Sequence, residues 1–131
     1  MKTSTCLKIS SLCFILLGIF VLITIWVTPE VLPYFENEQA LTAARAWGDI
    51  NGIIFLSLGL VWFLGSKMED SSSKKLLLLG NIMIGIVLIF AATFHHVVLH
   101  SGPPPPVFIL VSTSIIFAVI GWRKEKASLT K

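Results

Sequence analysis

The chain has 131 residues, of which 55% are hydrophobic and 13% charged, against roughly 25% charge in an ordinary soluble domain. With a mean hydropathy of +0.88, it has too few polar side chains to wet a globular surface and too many apolar ones to stay disordered. Its net charge of +3 comes from basic residues that flank apolar blocks instead of lining a wettable stripe, which argues against a nucleic-acid partner. Composition therefore reads as one integral membrane domain over residues 1–131.

Charge-free stretches cover residues 9–29, 50–66, 76–94 and 101–122. Each is close to the roughly 20 residues that a helix needs to cross a hydrocarbon core of about 30 Å. Helices are expected over barrel strands because no alternating pattern is visible and lipid leaves backbone groups no outside partner. The first helix is predicted over about 8–28, ended by Pro29 and Pro33. Its apolar run is longer than a signal-peptide core and is followed by no small-residue cleavage site, so it is read as a retained span. Cys6 and Cys13 lie two turns apart on one face, about 10 Å by helical rise, too far for a disulfide.

The second helix is predicted over about 39–66, with Asn37 as its N-cap. A polar turn through Ser71, Ser72 and Ser73 leads to a third over about 75–99. Ser101-Gly102 and the run Pro103 to Pro106 stop that helix and form a stiff spacer, with Pro106 in the first turn of a fourth helix over about 106–122.

The expected fold is thus an all-α, antiparallel up-down-up-down four-helix membrane bundle. Nine of the ten Lys and Arg residues fall at the N-terminus, in the 67–75 loop or in the C-terminal tail. The two opposite loops hold only Arg45 against Glu30, Glu36, Glu38 and Asp49. By the positive-inside rule both termini are cytoplasmic. Trp26, Tyr34 and Trp47 then fall at the outer interface, Trp62 and Trp122 at the inner one.

Ionisable residues beside membrane helices are costly and need a reason. Arg45 and Asp49 are four apart on one helix face, either an interfacial ion pair or the mouth of a pocket for an acidic headgroup or substrate. His95 and His96 end the third helix at the same expected depth, and helices two and three, joined by a short loop, are expected to pack antiparallel. Arg45, Asp49, His95 and His96 are therefore the ligand-pocket candidates. His96 and His100 have the i, i+4 spacing of a weak metal pair, but no metal and no cofactor is assigned. Ala44, Gly48 and Gly52 form a small-residue stripe that suits close helix packing, and Asn81 and Gly85 are packing candidates on the third helix, as Asn51 is on the second. No phosphate-cradling loop, nucleophile elbow or Cys-x-x-Cys pair is present, so no catalytic residue is proposed.

The stretch Leu41-Thr-Ala-Ala-Arg-Ala-Trp-Gly-Asp-Ile-Asn-Gly52, with Arg45, Gly48 and Gly52 after a proline-ended first helix, resembles small four-helix membrane families of unknown function related to DoxX-like proteins. Ala44-Arg45 with Gly48, and Phe94-His95-His96, are more faintly similar to the ergosterol biosynthetic scaffold family, which implies a tether for membrane enzymes. The leading expectation is a structural or interaction protein, a scaffold or accessory subunit, in contact with membrane lipids and a membrane-protein partner or copies of itself. The rival is a membrane enzyme or a lipid- or quinone-binding protein using the outer pocket. A bacterial inner membrane is the expected location, or the endoplasmic reticulum membrane in a eukaryote.

Overall fold

A backbone that must satisfy its own hydrogen bonds forms helices. The computed structural model describes residues 2–27, 38–98 and 103–129, and these form α1 (Thr3–Trp26), α2 (Glu38–Gly65), α3 (Ser71–Val98) and α4 (Pro105–Leu129). All four are long and apolar enough to cross a membrane; α1, at 24 residues, extends about 36 Å. Asn37, Tyr34, Glu36 and His100 lie outside the described residues.

All four helices start before the expected residue, α1 and α3 by about a turn, and α4 ends later. Lysines are good helix formers whose long stems keep the ammonium in water, so α1 extends ahead of Lys8 to Thr3 and α4 runs past Arg123 and Lys124. The serine run expected as a turn is instead the first turn of α3. Asp70 caps it, its carboxylate accepting from the backbone amides of Ser72 (3.3 Å) and Ser73 (2.7 Å).

Neighbours in space are not neighbours in sequence. α2 packs along α1, α1 along α4, and α4 along α3, while α2 and α3 scarcely touch. The antiparallel α2–α3 pair expected from their short connection does not form. The two come together at Gly65 and Leu77, beside the loop that joins them. Along the α1–α2 seam, Gly48 meets Ile25, Gly52 meets Leu22 and Gly59 meets Ile15, so residue numbers fall on one helix as they rise on the other. The α3–α4 seam follows the same rule, Gly85 facing Ile115 and Leu78 facing Gly121.

Packing is densest toward the ends of α1 and α4 that carry Lys2 and Lys124. Cys6, Leu7, Phe14, Trp62, Leu78 and Ala118 form one buried cluster, and both cysteines are free thiols. Trp62, expected as an interfacial anchor, lies instead in this core with its ring 4.3 Å edge-on from Phe14. A polar layer joins all four helices at this level. Ser11 donates to the Gly59 carbonyl (2.7 Å), Ser10 to the Ser114 carbonyl (3.1 Å), and Ser114 and Asn81 exchange hydrogen bonds at 3.1 and 3.2 Å. Every one of these side chains is buried, where an unmade bond would cost the most.

Candidate functional site

Above the dense half the helices enclose a cleft of about 440 Å³, near the lower end of the roughly 300–1,000 Å³ usual for ligand pockets. α1 contributes Leu17, Phe20 and Thr24; α2 gives Asn51 and Phe55; α3 gives Leu88, Ala92 and His95; and α4 gives Pro103, Val107 and Val111. The opening follows from the packing order: three of the four seams are closed, and the side between α2 and α3 is left. Phe55 stacks edge-on to Phe14 (6.0 Å), and Phe14 to Trp62, so an aromatic plug closes the floor and the cleft is blind.

Polarity within the cleft is graded. Thr24 and His95 lie close to the ends of their helices, and Asn51 lies on the turn after Asp49. Leu88 is seven residues before His95, about 10 Å deeper by helical rise, and there the lining is hydrocarbon. The Thr24 hydroxyl donates to the Phe20 carbonyl (2.8 Å) and one Asn51 amide hydrogen goes to the Trp47 carbonyl (2.8 Å). That leaves the Asn51 carbonyl oxygen and the His95 ring as the versatile groups of the rim, since a neutral imidazole both donates and accepts. Asn51, a packing candidate from the sequence, thus bonds within its own helix.

The four ligand-pocket candidates fall into two places. Arg45 and Asp49 sit at the α1–α2 seam on a residue read from sequence only as an anchor: the Trp26 indole donates to Asp49 (2.5 Å), and the Arg45 guanidinium lies 5.1 Å from the centre of the same ring. This is a cation–π stack worth about 0.5–1 kcal/mol at an exposed site. Arg45 Nε is buried with no hydrogen-bond partner among the described residues. His95 lines the cleft; Arg45, Asp49 and His96 do not. His96 is exposed at the end of α3, and among the described residues no cluster of three His, Cys, Asp or Glu side chains is placed to hold a metal.

The packing candidates occupy seams within the chain. Gly48 and Gly52 lie against α1, Gly85 and Asn81 against α4, and Ala44 is half-buried. The tightest approach to backbone involves a glycine outside the stripe: a Cβ on Gly18 would stand 2.7 Å from the Gly52 carbonyl oxygen and 2.9 Å from the Leu56 amide nitrogen. Thr24 and Phe55 went unremarked in the sequence; the only cue for Thr24 was a hydroxyl inside an apolar run.

A scan against family models and searches of the curated proteins and the solved structures find no match for the chain.

Proposed function

We propose that the protein is a small multi-pass membrane protein that holds a membrane-soluble ligand in the cleft among its four helices. The observation that carries this is the cleft itself: lined by every helix, blind at its floor, polar only at its rim, and open on the side where α2 and α3 fail to pack. A blind pocket suits retention or presentation of a ligand better than conduction. The proposal assigns no catalytic residue.

In this reading the chain threads up-down-up-down with both termini cytoplasmic, supported by the falling register of the seams and by the nine basic residues on one side. The cleft then lies in the outer leaflet. A bacterial inner membrane is proposed, or the endoplasmic reticulum in a eukaryote, and a relation to DoxX-like families rests on Arg45, Gly48 and Gly52. A scaffold role draws less support, because the α2 glycines suited to gripping a partner helix already pack on α1.

Purification into native nanodiscs followed by mass spectrometry tests the reading. A small amphipath should co-purify with the wild type and be lost from Ala91→Phe and Leu88→Trp, which fill the cleft from different levels. Equal lipid content in wild type and both variants, each monodisperse, would refute it.

A further inference from the structure

We infer that the ligand is a neutral amphipath with a single hydroxyl or carbonyl head, the head at His95 and Asn51 and the hydrocarbon body directed down toward Phe55 and Leu88; this rests on the ligand-holding reading above. The charge of the lining decides the head. Among the described residues no lysine, arginine, aspartate or glutamate lines the cleft, and Arg45, the described arginine near its level, is stacked on Trp26 at the α1–α2 seam. A carboxylate or phosphate head would lose hydration at the rim without a fixed cation among the described lining residues, and an ammonium without a fixed anion, each at a desolvation cost. A neutral oxygen meets no such cost. It can accept from His95 or from the remaining Asn51 N–H, and a hydroxyl can donate to the Asn51 carbonyl.

Shape sets the body. At about 440 Å³ the cleft suits one ring system or one hydrocarbon chain, not a two-chain phospholipid. The α2–α3 side is closed at Gly65 and Leu77 and open beyond, so a lipid already dissolved in the bilayer can enter sideways, tail and head at the depths they occupy in the membrane.

Four photoreactive probes of one chain length test this on the full-length protein in nanodiscs: a primary alcohol, a methyl ketone, the matching carboxylate and the plain alkane, each with a diazirine at the tail end. The alcohol, the ketone or both should label the α1 and α3 segments around Phe20 and Leu88 about fivefold more than the carboxylate and the alkane, the worth of one net hydrogen bond. His95→Leu should erase that preference and His95→Gln restore it. Preference for the ketone alone would point to quinone-like carbonyl heads, and for the alcohol alone to prenol-like ones; either upholds the inference. Equal labelling by all four, a lead for the carboxylate, or a preference that survives His95→Leu would overturn it and leave the ligand-holding reading intact. Cleft labelling by none of the probes, or labelling unchanged by Ala91→Phe, would instead bring down that underlying reading.

Discussion

At the scale of single residues, what lies opposite a glycine decides what the glycine is worth. Gly18 faces backbone on α2, which cannot swing away, whereas a Cβ on Gly48 would meet only the side chain of Ile25, and one on Gly80 would meet nothing within 4 Å. Gly18→Ala should therefore destabilise the fold by about 1–3 kcal/mol, the usual range for overpacking. Gly48→Ala should cost less, and Gly80→Ala should be neutral or stabilising by up to about 1 kcal/mol through helix propensity. Steric-trap unfolding in bicelles would rank the three, and equal losses for Gly18→Ala and Gly80→Ala would contradict the packing described. Ser114→Ala removes the hydroxyl that both serves and uses Asn81. The expected loss is about 0.6–1.7 kcal/mol, smaller in the double variant with Asn81→Leu than the sum of the two single changes.

At the scale of the helix, the start of α3 hangs on one carboxylate. Hydrogen bonds from Ser73, through its hydroxyl and its backbone amide, hold the Asp70 carboxyl below the usual carboxylate range, because they favour the charged form. A depressed folded-state value means that the cap's contribution is complete above the unfolded value of about 4 and lost as pH falls through the folded one. The first turn of α3 should fray only in acid, seen as movement of the Ser72 and Ser73 amide resonances. Asp70→Asn should keep the cap and abolish the pH response, and Asp70→Ala should fray the turn at every pH. This start was open to prediction from the sequence, since Asp followed by three serines is a capping pattern, but reading lysines as loop markers hid it.

For the molecule as a whole, the number and rough extent of the helices were legible because lipid tolerates so little charge: gaps between Lys, Arg, Asp and Glu mark the spans. Packing order was not legible. In water the apolar stripe of a helix shows which side is buried, but here the outward faces of α1, with Leu12, Leu16, Ile19 and Ile23 exposed, are as apolar as the inward ones. The choice between α2 and α4 as partners for a given helix then rests on glycine and serine positions that only coordinates align. Trp62 was misplaced for a related reason, since an aromatic near a helix end reads as an interfacial anchor whether or not a Phe14 waits to stack on it. The cleft was invisible because it is shaped by what four separate segments fail to fill. Orientation in the bilayer can be settled by labelling: with Cys6 and Cys13 replaced by serine, a cysteine at Ser72 should resist impermeant reagents in intact cells and one at Asn37 should react, and the reverse would invert the proposed topology.

The α2–α1–α4–α3 order carries one more consequence. The central seam joins the first helix to the last, and the covalent link at 66–70 joins two helices that scarcely touch. The protein is therefore two hairpins that recognise each other through α1 and α4, with Ser10 reaching the Ser114 carbonyl across the join. Cut at that loop and expressed as two separate polypeptides, the halves should find one another in the membrane and co-purify as a stoichiometric pair.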